Sequence, residues 1–222
     1  MHRFFLLSLA ILLAAVMPAC SAATASHLEI PDPALDEPLA SVKSERSVVL
    51  AGGCFWGVEA VFEHVRGVTQ ARSGYAGGSA TTASYEQVSG GDTGHAEVVE
   101  IIYDPSVISY GQLLKVFFAV AHDPTQLNRQ GPDIGTEYRS GIFFSNEEQR
   151  RIAQAYIEQL NKVKVFGQPI VTEVTALKSF HVAEDYHQDF LVRHRNLPYI
   201  VIHDLPKIEN LRKKFPDLFV TK

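Results

Sequence analysis

Ser47-Val48-Val49-Leu50-Ala51-Gly52-Gly53-Cys54-Phe55-Trp56-Gly57 is the stretch whose reading decides the fold. Val48 to Leu50 is an apolar run that reads as a strand, over Ser47 to Ala51. From Cys54 to Val65, the apolar residues Val58, Val61, Phe62 and Val65 recur at helical spacing. The glycines between the two let the backbone turn tightly. Cys54 therefore stands at a strand-to-helix turn, at a helix N-terminus whose partial positive charge favours a thiolate. A cysteine so placed, flanked by Phe55 and Trp56, reads as a nucleophile beside an apolar pocket. The alternative is a buried structural thiol, the commonest fate of a free cysteine.

Working outward, Val68 to Tyr75 reads as a second strand ended by Gly77-Gly78, and residues 79–95 as a long polar, glycine-rich loop. Ala96 to Tyr103 reads as a strand, Tyr110 to Ala121 as a helix, and residues 122–139 as a second long polar loop. Gly141 to Phe144 is a strand. Ser145-Asn146-Glu147-Glu148 has the form of a capping box opening a helix to about Val163. Ile170 to Thr175 reads as a strand and His181 to His194 as a helix. Strands and helices are interspersed, without a repeat or a clean parallel run. The expected class is α+β: a two-layer α/β domain with a mixed β-sheet, a ferredoxin-like core and long functional loops.

Alternation within Ala96 to Tyr103 is informative. Glu97 shares a face with Val99, Ile101 and Tyr103. If that face is the core side, its carboxyl sits at the edge of a dry environment and tends to stay protonated. If the strand frays there, Glu97 is simply solvated.

The chain has 222 residues, 46% of them hydrophobic, and a net charge of −5. That suits one soluble domain with appendages and argues against a nucleic-acid partner. The only basic cluster, Arg212 to Lys214, reads as a solvated helix face. At the start, His2 and Arg3 precede an apolar run from Phe4 to Val16, too short for a comfortable membrane span, and Ala23-Thr24-Ala25 suits cleavage. Residues 1–25 therefore read as a signal peptide. The alternative is a lipoprotein signal ending before Cys20, with membrane anchoring through that cysteine. The expected location is outside the cytoplasm, periplasmic or secreted. Residues 26–46, rich in Pro, Asp, Glu and Ser, read as a linker. The folded domain is expected over 47–205, and 206–222 as a tail without a cysteine. An unpaired cysteine in an exported protein is a candidate reactive thiol.

Other chemistries find less support. His181 and Asp185, and Glu184 and His187, would share helix faces, but no H-E-x-x-H pattern or cysteine pair supports a metal. Gly90-Gly91-Asp92-Thr93-Gly94 lacks the ending of a phosphate loop, and no Gly-x-Ser-x-Gly occurs. A cysteine hydrolase pairing Cys54 with His95 or His187 stays open.

Several motifs then stand in order. After Gly52-Gly53-Cys54-Phe55-Trp56-Gly57 come Gly74-Tyr75-Ala76-Gly77-Gly78, Tyr85-Glu86-Gln87-Val88 and Gly94-His95-Ala96-Glu97. Asp133-Ile134-Gly135-Thr136-Glu137-Tyr138-Arg139-Ser140 and Ala183-Glu184-Asp185-Tyr186-His187-Gln188 complete the series. Over roughly residues 47 to 200 this series resembles the A-type peptide methionine sulfoxide reductases. The resemblance implies that Cys54 attacks the sulfur of methionine S-sulfoxide, free or in proteins, and is left as a sulfenic acid. It implies that Glu97 supplies a proton to the sulfoxide oxygen. Tyr85 and Tyr138 would hydrogen-bond that oxygen, and Asp133 would order the site. Phe55 and Trp56 would wall the pocket for the substrate methyl. No prosthetic group or metal is implied.

Many relatives carry further cysteines near the C-terminus that recycle the sulfenic acid, whereas residues 203–222 hold none. The expected reductant is therefore an external thiol or a thioredoxin-like donor, and the expected state a monomer. Glu137 stands where the family commonly has Gln. Read as a surface position, it should matter by no more than about 0.5 kcal/mol. A non-catalytic module that binds methionine through Phe55 and Trp56 is the second reading.

Overall fold

The computed structural model describes residues 29–222. The leader, its cleavage site and Cys20 lie outside the described residues. In chain order the elements are β1 (Arg46–Gly52), α1 (Phe55–Glu63), β2 (Val68–Ala76), α2 (Tyr85–Val88), β3 (Ala96–Tyr103) and α3 (Tyr110–Val116). There follow β4 (Arg129–Gln130), β5 (Asp133–Ile134), β6 (Ser140–Phe144), α4 (Glu147–Val163), β7 (Glu173–Ala176), β8 (Phe180–Val182), α5 (Phe190–Arg193) and α6 (Leu205–Lys214).

Six strands form one sheet in the order β7-β6-β1-β3-β2-β8, and β4 and β5 form a separate hairpin. Among the described residues only β6 and β7 pair in parallel; the sheet's other pairings are antiparallel, so it is mixed. Alternation along the strands sends their side chains to two unlike faces. Val48, Leu50, Val99, Ile101, Tyr103 and Ile142 face the helices and join Val58, Phe62, Leu113, Tyr156 and Leu211 in the main core. Val49, Ala51, Ala76, Ala96, Val98 and Phe143 face the other way, into a smaller cluster covered by Leu177 and Phe180. Glu97 lies on the main-core face, as its alternation with Val99 and Ile101 required.

Two helix starts show why these residues stop where they do. Ser109 caps α3 in a full capping box with Gln112. Asn146 caps α4 by accepting from the Gln149 amide at 2.9 Å, while Gln149 Oε1 accepts the Ser145 amide at 2.8 Å. The box expected at Ser145–Glu148 is thus displaced by one residue. After Val116, α3 continues through a wider π-type turn, Phe117–Ala121.

The expected helix from His181 to His194 does not form. Phe180–Val182 instead pairs with the edge of β2, a short 3-10 turn covers Asp185–His187, and only Phe190–Arg193 is α-helical. Asp189, in the left-handed region at φ 52°, separates those two turns. Gln188 explains why the edge pairing wins: its side chain bonds the Ser73 amide and carbonyl, both at 3.0 Å, pinning the segment to β2. His181 and Asp185 therefore share no helix face. The strand expected at Ile170–Thr175 begins later, at Glu173.

Both flanks of the domain are fastened. Residues 29–45 carry no regular element, yet Asp36 accepts the Gly111 amide of α3 at 2.8 Å, and the Tyr156 hydroxyl donates to the Pro31 carbonyl at 2.7 Å. Ile30 and Leu35 pack on the main core. At the other end, α6 buries Leu211 against α1, and the last residues bond back to His64 and Arg66.

Candidate active site

The turn after β1 sets the site. Gly53 adopts φ +87°, and a Cβ there would lie 2.5 Å from Gln130. Both the backbone angle and the β4 approach need glycine. The next residue, Cys54, occupies the N-cap position of α1 and is 8% exposed. The second residue after the turn, Phe55, donates its amide to Glu97 Oε2 at 3.0 Å. Glu97 arrives from β3, opposite Tyr75 on β2, and is 3% exposed.

Burial dominates the electrostatics. It pushes the Glu97 carboxyl up to about 8, against the Phe55 amide, with Asp133 and Glu137 adding to the rise. At neutral pH Glu97 is therefore mainly protonated. With Oε2 accepting the amide, Oε1 is the oxygen free to present a proton. Burial also drives the Cys54 thiol well above its ordinary value, reinforced by Glu97 and Asp204 and opposed by the Trp56 amide and Lys207. This corrects the expectation that the helix N-terminus favours a thiolate here. The resting residue is a thiol, since a dry site penalises the charged form more than one helix end favours it.

Three phenols border this pair. Tyr85 begins α2, with its amide donated to Glu184 Oε1 at 2.9 Å. Tyr138 closes the 3-10 turn Thr136–Tyr138. Tyr199 comes from the segment before α6, and its hydroxyl donates to Asp133 Oδ2. Burial raises all three phenols, and each is within electrostatic reach of Cys54. All stay protonated and able to donate. Asp133 sits in the β4–β5 hairpin, so its bond to Tyr199 ties that hairpin to the C-terminal segment.

Phe55 and Trp56 differ. Phe55 is fully buried, with its ring centroid 4.9 Å from that of His187. Trp56 is half-buried and stacks flat on Phe190 at 3.7 Å. Its Nε1–H donates to His187 Nδ1 at 3.0 Å. Both rings meet His187, Phe55 from within the core and Trp56 from a half-buried position.

With that geometry in view, the comparison with known proteins is decisive. The family model described as peptide methionine sulfoxide reductase matches residues 46–218. The chain belongs to this family. It is an oxidoreductase acting on sulfur, of a family that reduces methionine sulfoxide. Peptide methionine sulfoxide reductase MsrA 2 of Mesorhizobium japonicum is 58% identical over 176 residues, covering 79% of this chain and 90% of that protein. The MsrA 2 of Synechocystis sp. is 53% identical over 190 residues, covering 85% and 89%. Among solved structures, reduced Mxr1 from Saccharomyces cerevisiae matches with a TM-score of 0.63 at 35% identity, over 73% of this chain and 92% of that one. Methionine sulfoxide reductase A of Corynebacterium diphtheriae matches with a TM-score of 0.60 at 32% identity, over 68% and 76%.

The remaining residues of this reductase fall into place around the site. His95 is buried and engaged by backbone, accepting the Gly78 amide at 3.3 Å and meeting the Ser79 carbonyl at 2.9 Å. His187 is buried, and burial lowers its pKa, so it is neutral. Accepting at Nδ1 places its proton on Nε2. Neither imidazole bonds Cys54, which leaves the cysteine-hydrolase reading without its base. Among the described residues no three His, Cys, Asp or Glu side chains converge as a metal site.

Glu137 requires a correction. It is 4% exposed rather than on the surface, and its Oε2 has no partner among the described residues. Tyr199, Asp204 and Lys207 were missed altogether. A signal was present: Asp204 precedes Pro206, the arrangement of a helix start with proline in its first turn.

Proposed function

We propose that this chain reduces the S epimer of methionine sulfoxide through Cys54, with Glu97 as the proton donor. The observation that carries this is the bond from the Phe55 amide to Glu97 Oε2 at 3.0 Å. It holds a neutral carboxyl beside the one free cysteine among the described residues.

The sulfoxide enters with its oxygen toward Glu97 Oε1 and the Tyr85 and Tyr138 hydroxyls, and its methyl against Trp56. Burying that methyl is worth about 0.8 kcal/mol, so it orients more than it binds. The Cys54 sulfur attacks the sulfoxide sulfur. Negative charge grows on the oxygen, and the Glu97 proton neutralises it. The oxygen passes to Cys54, giving sulfenic acid, and the substrate leaves as thioether. In sum, one thiol and one sulfoxide become one sulfenic acid and one thioether; the cysteine is oxidised and the methionine reduced. Asp133 and Tyr199 hold the β4–β5 side of the pocket in place.

Cys54 is regenerated by an external dithiol, which forms a disulfide and releases water. The lack of a cysteine in residues 203–222 supports a thioredoxin-like donor. The apolar run from Phe4 to Val16 followed by Ala23-Thr24-Ala25 supports export and repair of oxidised proteins outside the cytoplasm, with anchoring through Cys20 as the alternative. We also read β1-α1-β2-β3-α3-β6 as a ferredoxin-like core, on the strand order β6-β1-β3-β2 and its antiparallel pairings.

The test is a single turnover. Reduced protein is mixed with S- or R-methionine sulfoxide without reductant, methionine is counted, and the Cys54 peptide is weighed. One methionine per chain from the S epimer, with one oxygen added at Cys54, is the expected result. Methionine peptides bound without turnover would instead favour a binding module.

A further inference from the structure

The first turn of α1 has a neighbour that the mechanism above does not use. Asp204 is completely buried at the start of α6, and Lys207, one turn on, bonds its Oδ1 at 3.1 Å. Asp204 Oδ2 is buried and has no partner among the described residues. Both side chains rest on Gly57. A Cβ there would lie 2.1 Å from Asp204 Oδ1 and 2.7 Å from Lys207 Nζ. Glycine inside a helix costs about 0.5–1 kcal/mol relative to alanine. Here it makes room for an ion pair three residues beyond Cys54. Because a helical Cβ tilts toward the N-terminus, the pair lies against the positive end of α1.

We infer that the Asp204–Lys207 pair, seated on Gly57 in the first turn of α1, is a positioning device for Cys54 that sets the charge around its sulfur, the carboxylate and the ammonium acting in opposite directions. The positive end of α1 is shared. Glu97 accepts the Phe55 amide as a neutral acid, and the Asp204 carboxylate lies against the same turn, so a thiolate there would form beside an anion already in place. This adds to the burial that keeps a helix-N-terminal cysteine as a thiol. The direction for each partner agrees: Asp204 raises Cys54 and Lys207 lowers it. The other groups facing Cys54 are Glu97 from β3, Tyr85 from α2, Tyr138 from its 3-10 turn, and Tyr199, which holds Asp133. Among these, Lys207 is the cation that acts on Cys54. His122, toward which Lys207 also acts, is pushed by burial down to about 3 and is neutral.

The inference rests on Cys54 being the reacting thiol, and its test reads that thiol without any sulfoxide. The full chain is alkylated with iodoacetamide across pH, and the rate is followed on the Cys54 peptide by mass spectrometry. Asp204→Asn keeps an acceptor for Lys207 and removes the charge. It should move the midpoint down by about half a unit, about a threefold gain in thiolate below the midpoint. Lys207→Gln should move it up, and Lys207→Arg should restore it. A purely structural pair would shift both variants the same way or not at all, and either result overturns the inference. If Asp204→Asn does not fold, the same substitution is made on Lys207→Gln, where no buried cation is stranded. The midpoint must then fall relative to Lys207→Gln alone, and an unchanged or higher value refutes the proposal. Turnover persisting in Cys54→Ser would be a separate failure, of the reductase mechanism rather than of the pair.

Discussion

Replacing Glu97 with glutamine separates two properties of that side chain, its shape and its proton. The amide keeps an acceptor for the Phe55 N–H, so the turn holding Cys54 should survive. What disappears is a carboxyl held at about 8 instead of an ordinary 4.5. The sign follows from that rise. Its stabilising contribution is complete below the unfolded value, near 4.5, and is lost as pH climbs through about 8. Above both values the buried carboxylate costs the wild-type protein on the order of 5 kcal/mol, as an upper bound. Glu97→Gln should therefore gain stability over the wild type progressively from pH 5 to pH 9 in urea-denaturation midpoints, with the difference small at the acid end. Catalysis should move oppositely. Losing the proton donor should slow single-turnover methionine formation about 10²- to 10⁴-fold. The wild-type rate should itself decline as Glu97 ionises near pH 8. A variant with the wild-type single-turnover rate, or with a stability difference independent of pH, would refute a buried, protonated acid at this position.

Cys54→Ser should abolish methionine formation and leave no oxygen-bearing peptide; retained turnover would place the chemistry elsewhere. Glu137→Gln removes a negative charge that raises Glu97, so the alkaline decline in single-turnover rate should shift to lower pH. An unmoved limb would mean Glu137 does not act on the acid. Trp56→Phe deletes the donor to His187 Nδ1, and should cost about 1 kcal/mol of stability and raise KM more than it lowers kcat. Loss confined to kcat would contradict its role as a wall of the methyl pocket. Asp36→Ala removes the acceptor for the Gly111 amide at the start of α3, and should lower the denaturation midpoint by about 1–2 kcal/mol with single-turnover chemistry intact. No change in stability would show that residues 29–45 are loosely attached.

The parts of this molecule that were legible in its sequence are those governed by short-range periodicity. The Val48–Leu50 run, the helical spacing after Cys54 and the alternation through Val99, Ile101 and Tyr103 each act within one element. They locate β1, α1 and β3, and they place Glu97 on the core face. The misread stretches are those where a side chain far along the chain decides. His181 to His194 has helix-like composition, but Gln188 bonds Ser73, 115 residues away, and draws the segment to a sheet edge. Residues 29–45 look like a linker by composition, yet Asp36, Pro31 and Asp32 meet α3 and α4. Glu137 looks like a surface carboxylate until tertiary packing buries it. Tyr199 and Asp204 lie outside the motif blocks, and only the folded chain shows that they return to α1.

The buried site is kept neutral by the same packing that assembles it. Dry surroundings hold Cys54 as a thiol, Glu97 as an acid, His187 as a neutral imidazole and the three tyrosines as phenols. Such a site suits a sulfoxide, which is neutral but strongly dipolar, better than an ionic ligand. An unreacted thiol also resists oxidation, because the thiolate is the reactive form. Cys54 is thus protected until a sulfoxide oxygen approaches Glu97 and the phenols. Drawing the Glu97 proton toward that oxygen would otherwise leave a carboxylate beside the thiol, so transfer must be concerted with passage of the oxygen to Cys54, whose own proton returns Glu97 to its neutral form. On this account the two groups exchange one proton over the cycle, and the rate should carry a solvent deuterium isotope effect that vanishes in Glu97→Gln. An equal effect in wild type and variant would place the proton transfer on another group and separate Glu97 from the chemical step.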